Sequence, residues 1–422
     1  MAENFLYAYH NFAYFLLLSP HRFSRNQKTG RFIIVEWLPQ KVFCGVNHII
    51  ILFLYTSKLR QVWRMTTLEQ HRSIFDSFEV TFSVLYRVFF IQYFWGGKRL
   101  LEEILHCLVN DPHLSFSLKS KAFFKSVAFP YTIFGVYATV AVSRLITPAS
   151  GIMGLSLMTN RSVTSFESWY AALKYEGKRA IFPEEFITVD DIGNNGKCLT
   201  WIDMLFLIFI LPAFAEKAMT AYFSDLLILM HIFTLRTPVK EFVRTLKQDF
   251  LQCQEITALP PEGKVNLWKV KVSWRTKAEV IILRYEALRR LATLLNESIG
   301  ATLFFYLGET IITYAIHVAA DISFTLHYSN TMNAIVIFLF YIMTIAIFCC
   351  SSDVCRQMNV FKGWLYDNRK YLNMNMNETM FMLDSLQSQS VAISACGVVT
   401  MSYSMIGTIL GLLVTFFIIS LP

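Results

Sequence analysis

Seven separate runs of apolar residues, each about twenty long, constrain this chain more than any other feature. They cover residues 37–57, 74–95, 122–146, 201–225, 299–320, 333–352 and 396–420. The hydrocarbon core of a bilayer needs about 20 such residues in a helix, because lipid leaves no backbone polar group a partner outside the segment. Composition agrees: 55% of the 422 residues are hydrophobic and 16% are charged, against roughly a quarter charged in soluble domains. The reading is an all-α membrane protein with seven transmembrane helices, multi-pass in the plasma membrane. Pro130 and Pro212 fall inside spans three and four, where a missing N–H and a ring clash predict kinks.

Lys and Arg set the orientation. With a cytoplasmic N-terminus, the inner segments carry 25 of the 38 basic residues and the outer loops 9. Basic residues are retained inside, so the N-terminus is intracellular and the C-terminus outside. Long loops obey this rule poorly. Leaving out 226–298 keeps the sign, at 13 against 9. The sequon at Asn160 falls in the outer loop 147–200 and is the glycosylation candidate. Those at Asn296 and Asn377 fall inside. The opening "MAENFLYAYHNFAYFLLLSPHRF" lacks a basic start, and its short apolar part stops at Pro20. It reads as a helix along the inner membrane face, not as a leader or a span.

Several function classes find no support. Of the eight cysteines only Cys198 is placed outside, so no disulfide framework is expected. Cys349, Cys350 and Cys355 cluster at the inner end of span six with no nearby His, so no metal or other cofactor is expected. Basic tracts interleaved with aromatics are absent, which argues against nucleic acid. No His-Glu-x-x-His or nucleophile motif occurs, and the chain is not read as an enzyme.

The organisation follows from these spans. Residues 1–36 form a cytoplasmic N-terminal segment and 37–225 hold spans one to four. The segment 226–298 carries apolar residues at helical spacing on both sides of Pro260-Pro261-Glu262-Gly263, so spans four and five are expected to continue as cytoplasmic helices. Residues 299–352 hold spans five and six. Within 353–395, the stretch 375–395 reads as a further amphipathic helix, with Leu383, Leu386, Ser390 and Ile393 on one stripe. These helices either pack together as a cytoplasmic anchor or lie separately at the interface. Residues 396–422 are the last span.

Ionisable groups inside spans are costly and mark interiors or water-filled cavities. Asp76 and Glu79 in span two, Arg144 in span three, Asp203 in span four, and His317 and Asp321 in span five all fall in the outer half. Tyr137, Trp201, Tyr314 and Asn333 share that depth. Singly, such residues can snorkel to water. As a set they suit a cavity for a polar small-molecule ligand, with acids and amide meeting hydroxyls and rings meeting a flat apolar face. Arg87 and Glu309 lie nearer mid-membrane, where a buried pair or carbonyl contacts are expected.

In the last span Thr400, Ser404, Thr408, Gly411 and Thr415 recur at helical spacing, opposite Met405, Ile409, Leu412 and Phe416. A hydroxyl stripe suits a pore for partly hydrated cations. Small residues also serve helix contacts, and Gly407-x-x-x-Gly411 is a close-approach pattern. Ile418 and Leu421, further out, suit an apolar constriction.

The seven inverted spans and the ending "GTILGLLVTFFIISLP" resemble the insect gustatory and odorant receptor superfamily. Gustatory receptors typically close with Thr-Tyr, five apolar residues and Gln-Phe. Here Thr415-Phe416 takes the Thr-Tyr place, and Phe417, Ile418, Ile419, Ser420 and Leu421 follow. Pro422 stands where Gln is expected. "SVAISACGVVTMSYSMIGTILGLLVTFF" is similar to the family's last span, and "FAYFLLLSPHRF" to its N-terminal segment. The resemblance implies a chemosensory-type ligand-gated cation channel. It implies a tetramer, homomeric or mixed, held by cytoplasmic anchor helices, with the last helix of each subunit lining a central pore. Its partners would be a small-molecule ligand, membrane lipid and permeating cations. Two rival readings are weaker. A receptor acting through G proteins needs the opposite orientation, and neither Asp-Arg-Tyr after span three nor Asn-Pro-x-x-Tyr in span seven occurs. A transporter would show repeated halves.

Overall fold

The computed structural model describes residues 3–25, 32–68, 74–111, 223–246, 267–323, 331–367 and 391–420, with isolated positions between them. The N-terminal part contains helix α1 (Glu3–Phe15), strands β1 (His21–Arg25) and β2 (Phe32–Glu36), and helices α2 (Leu38–Leu68), α3 (Ile74–Gly96) and α4 (Lys98–Asn110). Helix α5 runs over 223–246. Helices α6 (Leu267–Ser323) and α7 (Thr331–Asp367) follow. A short hairpin, β3 (Ser394–Ala395) and β4 (Val399–Thr400), precedes α8 (Tyr403–Ser420).

Helix α6 is the axis of the fold. Its 57 residues span about 85 Å at 1.5 Å per residue. Its front half is rich in Ala, Leu, Glu and Arg and free of Pro, which favours one unbroken helix. Leu288, Leu291, Leu295 and Ile299 are fully buried, at spacings of a single helix face. Beyond them α6 runs through the apolar 299–320 and lies antiparallel on α3. Tyr86 meets Tyr306 at 5.5 Å between ring centres and Phe89 stacks on Phe305 at 4.9 Å. The helices close up at Gly308, where an added Cβ would stand 2.3 Å from the Phe82 ring.

Helix α5 is apolar on every side: Leu226, Leu227, Ile228 and Leu229 are all fully buried. An all-round apolar helix belongs inside a core, and this one has α1 and α3 against it. Its C-terminal half meets α6 and α7, with Phe242 4.9 Å and Tyr285 5.8 Å from the Phe361 ring. The expected continuation of span five as one long helix is thus observed for α6, while span four lies almost wholly outside the described residues.

Three features depart from the sequence reading. First, His21–Arg25 and Phe32–Glu36 pair as antiparallel strands, from His21↔Glu36 to Arg25↔Phe32. The preceding α1 buries Leu6, Tyr9, His10 and Ala13 against protein and leaves Phe15 exposed. Leu17, at φ 63°, ends α1 in the left-handed region, which favours glycine. Second, the last helix starts at Tyr403, seven residues later than the apolar run. Cys396 at φ 52° and Gly397 at φ 71° turn the chain as a type I′ turn requires, with the Val398 N–H donating to the Ala395 carbonyl at 3.0 Å. Thr400 therefore sits on β4 and leaves the helical stripe. Third, 391–393 have no regular structure and Ser394–Ala395 is strand, so Ile393 is buried outside any helix. The stripe read from Leu383 to Ile393 therefore does not end in a helix; its earlier members lie outside the described residues. Among the described residues one helix, Leu38–Arg60, is long and apolar enough by composition to cross a membrane. Spans 74–95, 299–320 and 333–352 each fall within one helix. Spans three and four lie almost wholly outside the described residues.

Candidate functional site

The last helix presents two different sides. Ile409 is buried, and Met405 and Ile406 are half-buried against the core. Ser404, Gly407, Thr408, Gly411 and Thr415 are exposed. A Cβ placed on Gly407 or Gly411 would meet nothing within 4 Å, so among the described residues none packs on these glycines. The Thr408 hydroxyl donates to the Ser404 carbonyl at 3.2 Å, and that of Thr415 to the Gly411 carbonyl at 2.9 Å. Each threonine's one O–H is thereby committed to its own helix. The oxygen lone pairs remain as acceptors on the open face. The stripe thus offers water or a cation acceptors without a fixed charge. Thr400 is also exposed, on β4. Ile418 lies on α8 with its side chain outside the described set.

The hairpin launching this helix rests on α6. Met401 N–H donates to the Ile393 carbonyl at 3.0 Å, closing the loop. Asn296 of α6 clamps it from both ends of one amide: Nδ2 donates to the Ala392 carbonyl at 2.9 Å, and Oδ1 accepts from the Ser394 N–H at 3.0 Å. Four residues on, a Cβ at Gly300 would lie 3.1 Å from the Cys396 nitrogen. Sequence reading took Asn296 only as a sequon. An Asn296→Ala protein loses both bonds and orphans two backbone groups, which costs about 2–3 kcal/mol. Thermal unfolding in detergent should drop accordingly, with Asn296→Asp, which keeps the acceptor, falling between.

The residues expected to line a ligand cavity are partly placed. Glu79 accepts from the Thr313 hydroxyl at 3.3 Å, joining α3 to α6. The antiparallel register brings the backbone of Asp76 on α3 level with that of His317 on α6. Tyr314 and Asp321 also lie on α6, and Asn333 lies near the start of α7. The side chains of Asp76, Tyr314, His317, Asp321 and Asn333 are outside the described set. Tyr137, Arg144, Asn160 and Asp203 lie outside the described residues altogether.

Below Glu79 the same two helices hold a buried charged network. The Arg87 guanidinium donates to Ser224 Oγ at 2.6 Å and to Glu309 Oε1 at 3.3 Å, and lies 4.4 Å from the centre of the Tyr86 ring. Tyr86 donates to Asp225 Oδ1 at 2.7 Å. Arg87 and Glu309 are 10% and 12% exposed, so of the two arrangements expected from their depth this is the buried pair. The sequence reading missed Ser224 and Asp225. Their signal was present as a polar pair breaking the apolar run "YFSDLLILM". Elsewhere, Asp353 of α7 takes both Arg236 of α5, at 2.8 Å, and Arg356, at 2.9 Å. Burial raises its pKa, but the Arg236 charge and the hydrogen bonds of both guanidiniums outweigh that and hold it below the usual carboxylate value. Among the described residues no group of His, Cys, Asp and Glu has the makings of a metal site.

Comparison with known proteins gives a fold. No family model matches the chain, and no curated protein matches it by sequence. Solved structures do match. The insect olfactory receptor OR5 from Machilis hrabei superposes with a TM-score of 0.56 at 13% identity, over 100% of this chain and 99% of that one. The same receptor in complex with eugenol gives 0.50 at 11% identity, with the same coverage. This chain has the insect olfactory receptor fold from end to end, the fold implied by the resemblance read from its sequence.

Proposed function

We propose that this chain, folded as an insect olfactory receptor, is a chemosensory-type ligand-gated, non-selective cation channel of the plasma membrane. In this reading it has seven spans and a cytoplasmic N-terminus, and assembles as a homotetramer with α8 of each subunit lining a central pore. One observation carries the reading beyond the fold: the hydroxyl and glycine face of α8 is exposed, and among the described residues no side chain packs on it at Gly407 or Gly411. An apolar helix that buries Ile409 and leaves its small, polar stripe open suits a shared axial pathway. The ligand is a small molecule held between the outer parts of α3 and α6, where Glu79 and Thr313 meet. The OR5 complex with eugenol supports a small-molecule ligand for this fold.

The test is electrical. The chain is expressed alone, and currents are recorded while sugars, bitter compounds and lipids are screened. Cysteines are then placed along α8 after the exposed native Cys396 is replaced by serine. Cysteines at Ser404, Thr408 and Thr415 should be blocked by thiol reagents in water, and those at Leu412 and Phe416 should react slowly, following a period of about 3.6 residues. A conducting protein whose whole stripe is inert places the pore elsewhere.

A further inference from the structure

Three buried histidines and one tyrosine join the N-terminal segment to the body of the protein. His10 of α1 and His231 of α5 are fully buried, and His21 of β1 is 3% exposed. His10 Nε2 lies 2.9 Å from the Tyr93 hydroxyl of α3, and that hydroxyl lies 3.2 Å from His231 Nε2. His231 Nδ1 lies 2.9 Å from the Leu227 carbonyl. These partners fix the protons in sequence. A carbonyl accepts only, so His231 Nδ1 carries its hydrogen and Nε2 is the acceptor. Tyr93 donates to it, and the Tyr93 oxygen accepts from His10 Nε2–H. His10 Nδ1 is then a bare lone pair. It is buried without a partner, as is His21 Nε2. The two rings stack, 6.4 Å between centres and 15° from parallel.

We propose that this cluster is an acid-sensitive latch: protonation of His10 and His21 releases α1 and β1 from α3 and α5. The chemistry is that of desolvation and like charge. A proton on His10 Nδ1 creates a buried N–H with no acceptor. A second on His21 sets two imidazolium rings face to face. Few anions face them to compensate. The groups facing His10 are Tyr9 on its own helix, His21, Tyr93 and His231. His21 also senses Glu36 on β2, Lys41 on α2 and Lys98 on α4. Glu36 already pairs with both lysines, at 2.7 and 2.8 Å. Asp225 acts on the neighbouring Tyr9 and is bonded to Tyr86.

The direction of the pH effect follows from the two states. Burial first, then the charges of His21 and His231, hold His10 well below its ordinary value. Burial first also lowers His21, to about 4, with Glu36 opposing and the two lysines adding to the fall. In water an imidazole titrates near 6.5. The undocked segment therefore binds protons more tightly than the docked one. Docking is at full strength above about pH 6.5 and weakens below it, by up to about tenfold per pH unit for each histidine.

The inference is independent of ion conduction, and so is its test. Backbone hydrogen exchange is followed in the full chain in detergent between pH 7.5 and 5, corrected for intrinsic exchange. Amides of α1 and β1 should lose protection by up to about a hundredfold per pH unit well below 6.5, reversibly, while those of α6 around Leu291 hold. His10→Gln/His21→Gln, which keeps a donor for Tyr93, should keep its protection in acid. Should the double variant not fold, His21→Gln alone should halve the logarithmic slope. A flat wild-type profile overturns the latch. So does simultaneous loss in α1 and α6, or a variant that responds as the wild type does.

Discussion

Replacing Arg87 with methionine is expected to lower the amount of folded protein at the cell surface severely. The guanidinium sits between Ser224, Glu309 and the Tyr86 ring, and is 10% exposed. Methionine fills a similar volume, so the loss is of charge and hydrogen bonds. It strands the Glu309 carboxylate, whose Oε2 already lacks a partner. Breaking a buried pair from one side costs about 3–5 kcal/mol, chiefly because the surviving charge is left without compensation. That is a large share of the roughly 5–15 kcal/mol that holds a typical domain. The companion Arg87→Met/Glu309→Gln tests the cause. Removing the orphaned charge should recover much of the loss, as seen in surface labelling and in thermal stability in detergent. A double variant as poor as the single one would show that packing around Arg87, and not charge, sets the penalty.

The network also shows how far sequence reading reaches. Arg87 and Glu309 could be paired from depth alone, because an ionised group in the middle of an apolar run needs a partner at the same level. Asp225 escaped because it stands at the end of a run, where water is the default partner. What buries it is the sequence after it. "LLILM" is apolar on all sides of a helix, so α5 stays inside protein where an interfacial helix would emerge. The long helices were legible for a related reason: the 3.6 period in 280–299 continues into an apolar run with no breaker between them. Periodicity was blind to the two strand pairs. Residues 21–25 and 32–36 make strands too short to show alternation. Residues 394–400 read as the start of an apolar span, and there a single glycine, with Cys396 drawn into positive φ beside it, decides the turn.

That turn separates two effects that would otherwise be confused in the last helix. Thr415→Trp is expected to cut ligand-evoked current by roughly tenfold or more while surface delivery stays normal, because bulk on a pore-facing stripe narrows the conducting path. Thr415 is exposed, and its hydroxyl donates to the Gly411 carbonyl of its own helix, so among the described residues the indole has open space. Ile409→Trp should do the reverse. Ile409 is 7% exposed and belongs to the core, and overpacking such a site costs about 1–3 kcal/mol. Surface protein should fall, and the current per delivered channel should change little. Surface biotinylation and whole-cell current, measured on the same cells, give the ratio directly. The assignment of the open face to the pathway fails if Thr415→Trp conducts at full size per delivered channel, or if its current falls only in step with its surface level. In the first outcome the stripe faces lipid, and in the second it is a contact needed for assembly.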